Sequence, residues 1–217
     1  MTLEELIQAQ GVQQHLKPLT HNLLLNIRGA NGSGKSTIPI CMLEDDPDAF
    51  EVTAGLNGKP HVLATVSPKY HTAALGKYRT ACGGLDTFKD INCIKVAAAY
   101  MWMMDYNLIM EGILASTVYG SYITLFNTLH KILPRRMLVL NLEPPLETCL
   151  QRVYERNGGK PVKEEQIRAK YNRVKQLGLK FEEYGFNVIH ADNSVISRAD
   201  TLTWAAELTG CADFTTP

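Results

Sequence analysis

The chain has 217 residues, 45% hydrophobic and 20% charged, with 22 Lys+Arg against 22 Asp+Glu and a net charge of +0. That composition excludes a disordered chain, and neutrality excludes a polybasic nucleic-acid coat or an acidic tail as its main business. No apolar run approaches the roughly 18 residues of a membrane span. The opening MTLEELIQAQ has neither a basic n-region nor an apolar h-region, so no signal peptide is expected. Five cysteines, odd in number and without a C-x-x-C pair, predict free thiols in a reducing cytoplasm.

Residues 3–16 place Leu3, Leu6, Ile7, Val12 and Leu16 near helical spacing. Asn22 to Arg28 reads as a strand buried on both faces, because its apolar run is nearly continuous. A glycine-rich turn follows, then a helix from Lys35 to Leu43 whose first turn tolerates Pro39. The acidic, turn-rich stretch Glu44 to Pro60 predicts a loop, and His61 to Val66 a second strand. Tyr70 to Asp90 has no clear period. Ile91 to Tyr106 reads as a helix, Asn107 to Leu114 as a third strand, Thr117 to Leu133 as a helix and Met137 to Leu142 as a fourth strand. Helices from Pro145 to Arg156 and Lys163 to Tyr184 flank a loop over 157–162. Asn187 to Ala191 is the fifth strand and Ala199 to Thr209 the last helix. Alternating strands and helices predict an α/β fold, one domain over 1–217, with a five-stranded, mostly parallel sheet flanked by helices.

Gly29-Ala30-Asn31-Gly32-Ser33-Gly34-Lys35-Ser36, followed by Thr37, matches G-x-x-x-x-G-K-[ST] between a predicted strand and a predicted helix. The glycines let successive backbone N–H groups curl around a phosphate at the positive end of the following helix. Lys35 then bridges β- and γ-phosphates, and the Ser36 hydroxyl ligates Mg²⁺. The expectation is a P-loop NTPase fold that binds ATP with Mg²⁺. GTPase base-reading and ABC signatures are missing, and no strand ends in four apolar residues and Asp. The third strand offers Glu111 instead, placed to hold the metal or polarise a hydroxyl; a helix-capping carboxylate is the structural alternative.

Residues 151–180 carry nine Lys/Arg against three Glu, a local field suited to a polyanion. Arg152 and Arg156 lie four apart, on one helix face, beside a loop containing Gly158 and Gly159. Guanidinium forks of this kind stabilise the charge that spreads over a phosphoryl group in transfer. Between the second strand and its helix, about 67–90, cations and rings interleave: Lys69, Tyr70, His71, Lys77, Tyr78 and Arg79. Rings stack on bases while cations take phosphates. Gly83 and Gly84 then allow close backbone approach before Asp86, which ranks first as general base, ahead of Glu111. A turn or N-cap aspartate is the competing reading of Asp86.

The order of these elements resembles small P-loop kinases of the nucleoside-monophosphate and polynucleotide kinase type. That resemblance implies an arginine-bearing lid at about 152–173 and an adenine-flanking loop at Asp192 and Asn193. The run from Gly76 to Asp86, with the P-loop and the Leu108-to-Gly112 strand, is similar to bacteriophage-encoded kinases, among them kinases of 5-hydroxymethyl-uracil in phage DNA. It implies ATP-dependent phosphorylation of the base's hydroxymethyl group within DNA, in the host cytoplasm. A kinase of free nucleosides or nucleoside monophosphates, and an ATP-binding regulatory protein without an acceptor, are the alternatives. Net neutrality and the lack of an extended basic run count against a duplex partner.

Overall fold

The computed structural model describes residues 23–56, 59–79, 83–104, 106–132 and 134–209. The helix expected over 3–16 lies outside them. β1 (Leu23–Gly29) runs through the middle of a seven-stranded sheet and is buried along its whole length. Its side chains alternate between two cores. Leu23, Leu25 and Ile27 pack with Ile38 and Met42 of α1 (Thr37–Glu44) and with Ala205 and Ala206 of α7 (Arg198–Thr209). Leu24 faces the other core, shared with α2 (Ile91–Trp102), α4 (Gly120–Ile132) and Phe181 of α6 (Glu164–Glu183). Helices on both faces explain the continuous apolar reading of this strand.

The expected five strands are seven. β2 (Phe50–Leu56) and β3 (Lys59–Ser67) form an antiparallel hairpin, where a loop was expected up to Pro60. β4 (Thr72–Leu75) lies inside the stretch that showed no period. Strand order is β2-β3-β4-β5-β1-β6-β7, with β5 (Asn107–Glu111), β6 (Arg136–Leu142) and β7 (Asn187–Ala191). β4, β5, β1, β6 and β7 pair in parallel, and β3 pairs antiparallel to both its neighbours. The sheet is therefore mixed. Four alanine-rich residues carry no hydrophobic period, which is why β4 escapes a sequence reading.

The third predicted strand ends at Glu111 rather than Leu114, and α3 (Ile113–Thr117) begins just beyond it. α5 (Leu146–Arg156) and α6 match the two expected helices closely. Asp90 caps α2 by accepting from Asn92 N at 2.8 Å and Cys93 N at 3.0 Å. Pro39 sits in the first turn of α1, where no intrahelical N–H is needed. No helix among the described residues is long and apolar enough to cross a membrane.

Candidate phosphoryl-transfer site

The phosphate loop links the carboxyl end of β1 to α1. Among the described residues, the amides of Gly32, Gly34, Lys35 and Ser36 donate to no protein group. Four unsatisfied donors at a helix N-terminus form a ready anion cradle. Gly32 has φ +80°, and a Cβ there would lie 2.2 Å from Cys149 O, so α5 packs directly on the loop. Asn193 clips the loop from the other side, donating from Nδ2 to Ser33 O at 2.9 Å. These observations fit a bound triphosphate.

The Ser36 hydroxyl donates to Glu111 Oε2 across 3.0 Å. β5 brings this acid beside the loop because it pairs directly with β1, Ile27 opposite Glu111. Ser36 and Glu111 together place two hard oxygens at the loop, the donor type a Mg²⁺ ion would take. Glu111 is fully buried and Lys35 nearly so. Burial pushes the Glu111 carboxyl up, opposed by the Lys35 charge and the Ser36 hydroxyl. Burial pulls the Lys35 ammonium down, opposed by Glu111 and then Asp86. Each charge thus offsets part of the other's desolvation.

Asp86 is exposed and accepts from Ile113 N with both carboxylate oxygens at 3.0 Å. Its capping role is real, and it also fixes the aspartate at the mouth of the loop, within reach of the Lys35 charge. The Tyr78 hydroxyl is buried against Glu111 without hydrogen-bond geometry, and burial raises it well above the usual phenol value. Gly84, at φ +64°, packs against the same carboxylate. Gly83 follows Tyr78 closely, a Cβ there meeting the Tyr78 ring at 3.2 Å.

The remaining acceptor-side residues sort differently. Lys69 pairs with Asp45 at 2.6 Å, and the Tyr70 hydroxyl donates to the same carboxylate at 2.5 Å. Tyr70 is 1% exposed, so the stacking expected of it has no open ring face to act through. The acidic run is what anchors this turn: Asp46 also accepts from Ser67 Oγ and Lys69 N. His71 has φ +45°, its carbonyl accepting from Asn107 N. Lys77 and Arg79 are exposed, Arg79 donating to Ala49 O.

The two arginines of α5 divide. Arg152 reaches Asn193 O and Ser194 O at 3.1 and 3.2 Å. It lines a cleft of about 190 Å³ with Thr37, Ile38, Asn193, Ile196 and Trp204. Asp192 turns that loop by accepting from Ser194 N. Arg156 instead joins Lys163 and Lys170 in a second cleft, of about 290 Å³, beside Asn31. Arg156 and Lys170 both lie close enough to depress Lys35, and Lys170 donates to Asn31 Oδ1 at 3.3 Å. Sequence reasoning put Lys170 in the lid without assigning it a contact. It missed Trp204 and Ile196 entirely, since neither belongs to a spaced motif.

A family model described as 5-hmdU DNA kinase matches residues 4–203. The chain belongs to this family. It is 41% identical over 186 residues to a 5-hmdU DNA kinase of Bacillus phage SP10, covering 84% of this chain and 29% of that protein. It is 38% identical over 155 residues to 5-hmdU DNA kinase 1 of Salmonella phage ViI, covering 70% of this chain and 67% of that one. A 5-hmdU DNA kinase of Pseudomonas phage M6 is 30% identical over 161 residues, 70% of this chain and 82% of its own. The chain therefore spans less than a third of the SP10 protein. A solved deoxyadenosine kinase from M. mycoides aligns at 14% identity and TM-score 0.42, over 86% of this chain and 97% of that one. That likeness is too loose to bear on the function.

Proposed function

We propose that this chain transfers the γ-phosphoryl group of ATP to the hydroxymethyl oxygen of 5-hydroxymethyl-uracil in DNA. The observation that carries the reading is the Ser36–Glu111 hydrogen bond beside an open phosphate cradle, with Asp86 at its mouth, in a chain of the 5-hmdU DNA kinase family. Glu111 is engaged on the metal side, which leaves Asp86 as the carboxylate free to orient the acceptor hydroxyl and take its proton. The hydroxymethyl oxygen forms the new bond to phosphorus, the bond to the ADP oxygen breaks, and the proton passes to Asp86. Ser36 and Glu111 would hold a Mg²⁺ ion, which when bound would supply charge neutralisation at the phosphates. Lys35, Arg156 and Lys170 converge on the transferring group, where guanidinium and ammonium donors stabilise the charge on its oxygens. Arg152, Asn193 and Trp204 form the nucleoside-base cleft. On this reading residues 1–217 form one kinase domain, with 152–173 as a lid of the nucleoside-monophosphate kinase kind and 67–90 as the acceptor side. An unpaired base must be presented, so a duplex substrate requires base flipping.

The test is incubation with γ-labelled ATP and Mg²⁺ against free nucleosides, nucleoside monophosphates, thymine DNA and 5-hydroxymethyl-uracil DNA. Label in the modified DNA alone is the expected result. Label in a free nucleotide instead replaces DNA by a small-molecule acceptor, and nucleotide binding without any acceptor labelling replaces the enzyme by an ATP-binding regulator.

A further inference from the structure

Arg28 is fully buried one residue before the phosphate loop, and no carboxylate pairs with it among the described residues. Burial brings its guanidinium down to about 9, so it remains charged at neutral pH. An apolar side chain would avoid that desolvation cost. What the arginine supplies is geometry. Nη2 donates to Ser116 O at 2.7 Å, and Nη1 donates to Asn26 Oδ1 at 3.2 Å. Asn26 Nδ2 in turn donates to Met110 O at 3.1 Å. Between Met110 and Ser116 lie Glu111 and Ile113, whose amide holds Asp86. Ser116 adds a second tie, accepting from Gly29 N at 3.1 Å and donating to Gly112 O at 2.7 Å. The guanidinium lies 4.6 Å over the Phe181 ring, which fixes its plane.

We propose that Arg28 and Ser116 are positioning residues that clamp the Met110–Ser116 segment at both ends against the first residue of the phosphate loop, setting the separation of donor phosphate and acceptor hydroxyl. The proposal rests on the roles given above to Glu111 and Asp86. Loosening the clamp leaves the nucleotide cradle intact but misaligns the two halves, and a shift of about 1 Å costs on the order of 10²-fold in rate. The defect therefore falls on turnover and spares ATP affinity.

The decisive comparison is between the wild-type protein, Arg28→Lys and Ser116→Ala. Each is assayed for labelling of 5-hydroxymethyl-uracil DNA, for acceptor-free ATP hydrolysis, for equilibrium ATP binding and for thermal unfolding. Lysine keeps the charge but cannot donate along both arms, and alanine at 116 removes only the hydroxyl ties. The expected result is turnover reduced at least about tenfold in both variants with ATP affinity within twofold, while the unfolding midpoint falls by the few degrees that lost buried hydrogen bonds cost and both variants stay folded at the assay temperature. Unchanged turnover overturns the clamp. So does a loss of turnover matched by equal losses in ATP affinity and unfolding midpoint, since that is plain structural damage. A wild-type protein that hydrolyses ATP but labels no modified DNA overturns the proposed substrate instead, and the clamp is then read from hydrolysis alone.

Discussion

A Cβ atom on Gly84 would lie 2.1 Å from Glu111 Oε1 and 2.5 Å from Glu111 O. Rotating the glutamate cannot relieve the second contact, because it is backbone. Gly84 also has φ +64°, a conformation that costs an L-residue about 1–3 kcal/mol. Gly84→Ala is therefore expected to displace either the 83–86 turn or Glu111, lowering both the unfolding midpoint and turnover. A variant with wild-type values for both would mean the turn does not depend on this contact.

Lys35→Ala removes the cation that, on the proposed function, meets the phosphates. It is expected to abolish measurable turnover and to weaken ATP binding at the same time. Normal ADP production by this variant would remove the loop from the chemistry.

Asp86→Asn preserves an acceptor for Ile113 N, so α3 should keep its cap. It cannot take the acceptor's proton. ATP affinity is expected to hold while turnover falls by about 10²–10⁴-fold, the usual scale for a lost general base. An unchanged rate would transfer that role to Glu111.

Arg152 and Arg156 occupy one helix but different clefts, so their alanine variants should differ in kind. Arg152→Ala is expected to weaken ATP binding, and Arg156→Ala to lower turnover at saturating ATP. Binding isotherms and saturating rates separate the two, and identical signatures would contradict the division.

Glu111 carries a pH prediction. Its carboxyl is raised by burial from an ordinary value of 4.5. Above the raised value the carboxylate is ionised in both folded and unfolded chains, and the fold bears the desolvation. Below 4.5 it is protonated in both and costs nothing. Glu111→Gln should accordingly stabilise the protein at pH 7, by an amount that shrinks as pH falls toward 4.5. Urea titrations of both proteins across that range would show it, and a difference independent of pH would rule out desolvation as the cause.

The parallel core was legible because β1, β5 and β6 carry long apolar runs bounded by glycine, proline or acid. The hairpin was not. The apolar–polar alternation Phe50-Glu51-Val52-Thr53-Ala54 is present, but it follows directly on the acidic, turn-rich run from Glu44, and the residue left over at the register shift is Leu63, on β3. Asn57-Gly58 was the signal that could have found it, a dipeptide that favours hairpins when it separates two β-prone runs. In the site, Lys35, Ser36 and Glu111 were readable from spacing along contiguous elements. Arg28 and Ser116 were not, because neither belongs to a spaced motif and their partners lie 88 residues apart in sequence. The ring–cation run at 69–79 misled for a related reason: composition does not reveal that Asp45 ties down Lys69 and Tyr70.

The clip from Asn193 onto Ser33 spans 160 positions, and Arg152 reaches back 120 positions to Gly32 O at 3.4 Å. During synthesis, at about 5–20 residues per second, the phosphate loop leaves the ribosome many seconds before either clip exists. Nucleotide therefore has no finished cradle to hold in a half-made chain. On the function proposed above, a nucleotide would meet a finished cradle only in the completed fold, too late to guide the early steps that build it.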